Sequence, residues 1–385
     1  MIIWGCIGRN GAQIWHKSTR RFGVTKQDSE FLFIGLLTVP YLQSQVIYLN
    51  NDVSVPEQWG FLRNQHILPL QLYRQHEPEL VKEPEGIAAD ITTRLGFKLL
   101  RDDPNSLLVL YLHGAAGTLG SGWRPPSYLA MYAGAPDRIH TVAIDYRGFG
   151  SSSGSPSEEG LLTDATTLAT WAMQEAGVPP SRIVIFGQSL GTAVGISLTH
   201  HLATAGADDG NPTLFAGMVF VAPFADVELL ASTYRIAPIV PILGPLAPFP
   251  RLLAFFNSFI LTNKLADFVR HCESMPEDGR LKYHITIIHA EDDYDVPWSH
   301  SDQLFWHAVN ASTPDGISFE ELEHQKTQTK TTLGPGGWAM EHKTAKGEIR
   351  EEIAKWGLHD RIMSYPIVSL AVLRAFQSGS SIAPR

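Results

Sequence analysis

Cysteine is almost absent. Cys6 and Cys272 are the only two in 385 residues, and they lie far apart in sequence. No C-x-x-C spacing occurs, so neither a disulfide framework, a redox pair nor a metal site is implied. Two cysteines leave the compartment open, because a domain this large can be stable in an oxidising space without a bridge. Surplus positive charge is also missing: 30 basic residues face 39 acidic ones, for a formal charge of −9 and no basic stripe. That removes the electrostatic footprint of a nucleic-acid binder. Internal repeats, heptads and low-complexity tracts are lacking as well, which excludes solenoids and coiled coils. The length exceeds that of an ordinary single domain, but an α/β sheet with inserted loops can occupy about 250 to 300 residues as one domain, with an N-terminal appendage beside it.

What is present is chemistry on strand ends. The apolar run Ile183-Val184-Ile185-Phe186 leads into Gly187-Gln188-Ser189-Leu190-Gly191, and Thr192-Ala193-Val194-Gly195-Ile196 follows. This reads as strand, tight turn and helix. In such a G-x-S-x-G elbow the serine sits on a strained turn, and the glycines remove side chains that would strike the neighbouring strand and helix. Upstream, Leu107 to Leu112 is a continuous apolar run, as a buried parallel strand requires, and His113-Gly114-Ala115-Ala116-Gly117 follows it. The small residues let backbone N–H groups face an incoming carbonyl oxygen, with the N–H groups of Ala115 and Leu190 as the expected oxyanion hole.

A serine nucleophile needs a histidine to take its proton and a carboxylate to fix that histidine. Ile285-Thr286-Ile287-Ile288-His289 runs into the acidic turn Ala290-Glu291-Asp292-Asp293-Tyr294-Asp295-Val296-Pro297. Asp293 is the acid expected there, and Asp226, behind the strand Gly217–Val221, is held in reserve. The histidine should lie after the last strand and before the last helix. Ile317–Leu322 reads as that strand by alternation, and Ile349, Ile353 and Trp356 mark one face of a closing helix by their spacing. His324 and His342 both fall between them. His342 is preferred, because Gly334, Gly336 and Gly337 give its loop the means to return over the sheet.

Two further segments bear on substrate and location. Residues 31–49 carry no charge and come near the span a bilayer needs, although Pro40 and Gln43-Ser44-Gln45 also suit an interfacial or buried amphipathic helix. As a membrane span, this segment would leave the N-terminus cytosolic behind Lys17, Arg20, Arg21 and Lys26, and the catalytic domain lumenal. Asn310-Ala311-Ser312 would then be a usable glycosylation sequon. Between Val227 and about His284 the strand–helix alternation gives way to proline-rich apolar sequence, read either as a lid over the site or as packing against the sheet edge. An apolar lid suits an acyl chain, since each buried methylene contributes about 0.8 kcal/mol.

Thr141 to Asp145, the crossover Leu161–Ala176 and the strand Gly217–Val221 supply the remaining alternation of a doubly wound sheet. The runs Tyr111 to Thr118, Asp145-Tyr146-Arg147-Gly148-Phe149-Gly150, Pro156 to Gly160, Gly187 to Thr192 and His289 to Asp293 resemble the α/β-hydrolase domain-containing protein 12 family of serine lipases, over about residues 30 to 357. That resemblance implies an α/β-hydrolase fold and a triad of Ser189, Asp293 and His342 without metal or organic cofactor. It also implies an enzyme anchored in the endoplasmic reticulum membrane and acting on monoacylglycerols or lysophospholipids. The family's strand hairpin ahead of His66–Leu70 has no counterpart here, so the first sheet strands are expected to be reduced and one sheet edge exposed.

The expected organisation is therefore an N-terminal segment over 1–50 with an anchor at 31–49, and a linker with partial sheet strands over 51–106. The catalytic domain follows over 107–360 with a lid at 227–284, and a tail over 361–385. The triad does not name the leaving group, so a thioesterase or a peptidase would show the same pattern. A cytoplasmic enzyme, or a membrane-tethered interaction protein that kept the fold without catalysis, are the readings furthest from this one.

Overall fold

Continuous apolar runs build the centre of the sheet. The computed structural model describes residues 71–73, 95–150, 152–205, 212–233, 235–236, 240–241, 260–334 and 336–379. Its strands are β1 (Gln71–Tyr73), β2 (Leu107–Leu112), β3 (Ile139–Ala143), β4 (Ile183–Gln188), β5 (Gly217–Val221), the short ribbon pair β6 (Arg235–Ile236) and β7 (Val240–Pro241), then β8 (Tyr283–Ala290), β9 (Thr331–Thr332), β10 (Trp338–Lys343) and β11 (Gly347–Ala354). Nine of them form one sheet in the order β1-β3-β2-β4-β5-β8-β11-β10-β9. The six from β3 to β11 run parallel, and the edge strands β1, β10 and β9 are antiparallel.

The helices are α1 (Leu95–Asp102), α2 (Arg124–Tyr132), α3 (Glu158–Gln174), α4 (Leu190–Ala205), α5 (Val227–Thr233), α6 (Leu261–Ser274), α7 (Ser299–Ser312), α8 (Phe319–Thr329) and α9 (Pro366–Gly379). They cover both faces of the sheet, so each central strand divides its side chains between two cores. Leu108, Leu110 and Leu112 of β2 join Ile183 and Ile185 of β4 and the inner faces of α3, α4 and α6. Val109 and Tyr111 join Val184, Phe186 and the buried face of α9 on the other side. Burial on both faces is why these strands read as unbroken apolar runs. Each fully buried aliphatic side chain contributes about 1.5–3 kcal/mol.

Strand order reverses between β2 and β4, since β3 lies on one side of β2 and β4 on the other. Such a switch point opens a crevice beyond the carboxyl ends of the two strands. The turn after β2 and the turn after β4 both lead into it.

Several expected elements change type or place. Residues 317–322 are not a strand: Ser318 caps α8, its Oγ accepting from Glu321 N–H while the Glu321 carboxylate accepts from Ser318 N–H. This reciprocal pair starts a helix. Ile349 and Ile353 lie in β11, not in a closing helix, and pair with β8 and β10. The closing helix is α9, within the segment expected to be a tail, and its Val368, Ala371, Val372, Ala375 and Phe376 are core residues. Within the expected lid, α6 is a regular helix with Leu261, Leu265, Phe268, Val269 and Cys272 buried, so that portion is body, not cover. The strand read at 141–145 is found at Ile139–Ala143.

Asn310 of the sequon lies in α7, where its Oδ1 accepts from Ile317 N–H at 2.8 Å. No helix among the described residues is long and apolar enough to cross a membrane. The segment 31–49, His66–Leu70 and the apolar stretch 242–259 lie outside the described residues.

Candidate active site

Ser189 stands between β4 and α4 with φ +50°. This left-handed conformation costs a non-glycine residue of order 1–3 kcal/mol and persists only where the surroundings over-determine it. Here they do. Ser189 N–H donates to Val221 O at 3.0 Å, and Ser189 O accepts from Thr192 N–H at 2.9 Å and from Thr192 Oγ1 at 2.6 Å. A Cβ on Gly187 would lie 2.5 Å from Gly191 O, and one on Gly191 would lie 1.9 Å from Leu112 O. Both glycines of the elbow are thus demanded by backbone that cannot move aside.

Asp293 leaves the end of β8 with every lone-pair direction of its carboxylate engaged. Oδ1 accepts from the N–H groups of Asp295 at 3.0 Å and Val296 at 2.9 Å. Oδ2 accepts from His289 Nε2 at 3.0 Å and from His359 Nδ1 at 2.7 Å. Burial penalises this charge, but the two imidazoles outweigh that and hold the carboxyl well below the usual carboxylate range. His289 Nε2 also donates to Val296 O at 2.9 Å, so Nε2 carries the proton and Nδ1 accepts from the Ser301 hydroxyl at 2.7 Å.

The histidine that meets Asp293 from beyond the last strand is His359, and His342 is not in the site. His342 lies on β10 opposite Ile349, where burial lowers its pKa. His324 is on the exposed face of α8 beside Gln328. Asp226, the reserve acid, accepts from Leu229 N–H at 2.6 Å as the cap of α5. The expected bracket lies upstream of the loop that follows β11, because residues 319–329 form α8 and Ile349 and Ile353 lie in β11.

That loop is fastened on both sides. Asp292 Oδ1 accepts from the N–H groups of Gly357 at 2.7 Å and Leu358 at 2.8 Å. Gln188, the residue before Ser189, directs its side-chain amide to His359 O at 3.4 Å and to Asp360 Oδ1 at 3.2 Å. The His359 ring is thus held between the Asp293 carboxylate and the elbow. Burial opposes its positive charge, yet Asp293, with Asp360 and Asp295 further off, raises its pKa to about 9.

The loop after β2 meets the same elbow: a Cβ on Gly114 would lie 2.2 Å from Gln188 Oε1 and 3.3 Å from Gln188 O. Ala115 is half-buried in that loop, and Leu190 is the first residue of α4. Among the described residues neither N–H has a backbone partner. Ala116 and Gly117 turn the loop with φ +59° and +69°. The loops after β2, β8 and β11 also carry the exposed apolar side chains Trp123, Tyr294 and Leu358, and the Arg361 guanidinium lies over the Trp123 ring.

Residues 109–316 match the alpha/beta hydrolase family. Lysophosphatidylserine lipase ABHD12 of Danio rerio is 32% identical over 295 residues, covering 75% of this chain and 68% of that one. The protein of the same name from Xenopus tropicalis is 26% identical over 74% of this chain and 73% of its own. Human Protein ABHD12B is 28% identical over 53% of this chain and 50% of its own. The chain belongs to the alpha/beta hydrolase family and, within it, to the ABHD12 family.

Proposed function

We propose that the chain is a serine hydrolase that cleaves the carboxylic ester of a monoacyl lipid, of the lysophospholipid or monoacylglycerol type, through an acyl-enzyme. The observation that carries this is the hydrogen bond of His359 to Asp293 on a loop tied to the elbow of Ser189. Ser189 Oγ attacks the ester carbonyl carbon while His359 Nε2 takes the hydroxyl proton. With its Nδ1–H committed to Asp293, the ring has one nitrogen to offer, and the carboxylate stabilises the imidazolium that forms. The N–H groups of Ala115 and Leu190 receive the oxyanion, a contribution of a few kcal/mol. Collapse expels the alcohol, which leaves with the proton from His359. Water, deprotonated by the same nitrogen, then releases the fatty acid and restores Ser189.

The lysophospholipid reading rests on the lysophosphatidylserine lipases among the relatives, and the exposed apolar side chains of Trp123, Tyr294 and Leu358, on the loops after β2, β8 and β11, suit one acyl chain. The uncharged segment 31–49 serves in this reading as an anchor in the endoplasmic reticulum membrane, with the catalytic domain lumenal.

Labelling by a fluorophosphonate probe, followed by a lipid panel, tests the proposal. The intact chain should label and Ser189→Ala should not. Fatty acid should then be released from lysophosphatidylserine or monoacylglycerol in preference to diacyl lipids. An intact folded chain that does not label overturns the catalytic reading, and labelling with cleavage of acyl thioesters but not of lipid esters reassigns it to a thioesterase.

A further inference from the structure

The first residue of α2 is a buried arginine whose hydrogen bonds all go to the loop after β2. Arg124 is only 7% exposed, and among the described residues no carboxylate lies within ion-pair distance of it. Its Nη2 donates to Gly114 O at 2.9 Å, Ala115 O at 2.9 Å and Ala116 O at 2.6 Å, and its Nη1 donates to Thr118 O at 2.7 Å. Taking a guanidinium out of water without a counter-ion is costly unless its donors are well used. The fold spends that cost at one loop.

The consequence follows from the rigidity of the peptide unit. In a trans peptide the C=O and the N–H point to opposite sides of the chain, and no cis bond occurs among the described residues. Gly114 O and Ala115 N–H belong to one such unit. The carbonyl is gripped by Arg124 and, at 2.7 Å, by His113 Nδ1. The N–H is thereby turned away from both, while the loop itself lies against Gln188 beside the elbow. The next peptide is fixed in the same way through Ala115 O, and the left-handed turn at Ala116 is held through the carbonyl before it and through its own.

We propose that Arg124 is the positioning residue of the oxyanion loop: its fork of donors fixes the carbonyls of Gly114, Ala115, Ala116 and Thr118 so that the Ala115 N–H faces the ester oxygen bound at Ser189. The proposal rests on the hydrolase reading above. Arg124 does not touch the substrate. It sets a donor before the reaction begins, which is the condition under which such a donor is effective. A lysine supplies charge without the planar fork and cannot hold this set of carbonyls.

The test compares wild type with Arg124→Lys and Arg124→Met on a soluble p-nitrophenyl ester, alongside inhibition by a trifluoromethyl ketone that forms a hemiketal oxyanion. Both variants should lose about 10²- to 10³-fold in kcat with KM within about threefold, as for loss of one oxyanion donor. Inhibitor affinity should fall in step with kcat/KM, and added guanidinium ion should restore part of the activity of an Arg124→Ala chain. A merely structural role would move none of these in a folded variant. A folded Arg124→Lys with wild-type kcat and inhibitor affinity overturns the assignment alone. If neither the lysine nor the methionine variant folds, the residue belongs to the fold and the assignment is likewise overturned. A wild-type chain that neither labels with fluorophosphonate nor cleaves the ester overturns the hydrolase reading itself.

Discussion

His359 Nδ1 lies 2.7 Å from Asp293 Oδ2, although 66 residues separate them in the chain. That pairing decides between the histidines of the C-terminal third. His359→Ala removes the imidazole that meets Asp293 through Nδ1 and leaves Nε2 for the serine, and should lower kcat by about 10⁴-fold or more. His342→Ala changes a side chain of β10 far from Asp293 and should leave kcat within about threefold. Ester hydrolysis by the two purified variants checks both. A silent His359→Ala would sink the assignment.

The same pairing sets a pH profile. The His359 pKa is raised to about 9, and the ring must be neutral to accept the serine proton. In the free enzyme kcat/KM should therefore climb with pH up to about 9, above the ordinary histidine range near 6.5. The linkage to stability has the opposite slope. A raised folded-state pKa means that the protonated ring stabilises the fold fully below the unfolded value and loses that contribution as pH rises through about 9. Asp293→Asn should bring the acid limb of the rate profile down and lower kcat by about 10⁴-fold. A limb near 6.5 in the intact enzyme, unchanged by Asp293→Asn, would contradict the geometry.

Legibility in the sequence followed burial. β2, β4 and β5 are covered on both faces, so their composition is apolar throughout and they can be read directly. The elbow could be read because Gly187 and Gly191 are required by backbone contacts that any chain of this shape must make. β11 hid itself: Glu351 and Glu352 are fully buried in the strand, made tolerable by Arg350 of the same strand and by Lys326 and Arg374 brought from elsewhere. Such ion pairs are invisible to hydrophobic periodicity, and Ile349 and Ile353, four apart, then mimic a helix. The capping pair Ser318 and Glu321 was the available signal that the preceding element was α8. Read that way, the last strand moves to β11, the last helix to α9, and His359 is the histidine between them.

The elbow glycines should be intolerant for different activities of the same backbone. Gly191→Ala would put a Cβ 1.9 Å from Leu112 O and 2.9 Å from His113 O, contacts with a central strand that cannot retreat. The expected cost is about 3 kcal/mol, at the upper end for overpacking. Loss of fluorophosphonate labelling should accompany it, because the elbow must shift away from that strand and carries Ser189 with it. A urea melt and a labelling time course check the two effects separately. Wild-type stability in Gly191→Ala would mean the elbow is looser than the contacts require.

The largest effect on stability away from the site should come from Lys326. Its Nζ lies 2.6 Å from Asp302 Oδ1, 2.8 Å from Glu351 Oε2 and 3.0 Å from Glu323 Oε1, with the aromatic rings of Phe305 and Trp338 beside it. Burial and the neighbouring Asp302 carboxylate push the Glu351 pKa up against the pull of this ammonium. Lys326→Met keeps the stem and removes the charge, leaving two buried carboxyls facing each other. Breaking such a group from one side costs about 3–5 kcal/mol, much of it the stranded partners' desolvation. Replacing Glu351 by Gln in the same chain removes one stranded charge and should recover part of the loss. The network lies between α7, α8 and β11, behind the sheet edge, so kcat per folded molecule should stay within about threefold of wild type. Thermal melts of the single and double variants decide the matter: a double variant no more stable than Lys326→Met would show that the carboxyls neutralise each other by sharing a proton, not by relying on the lysine.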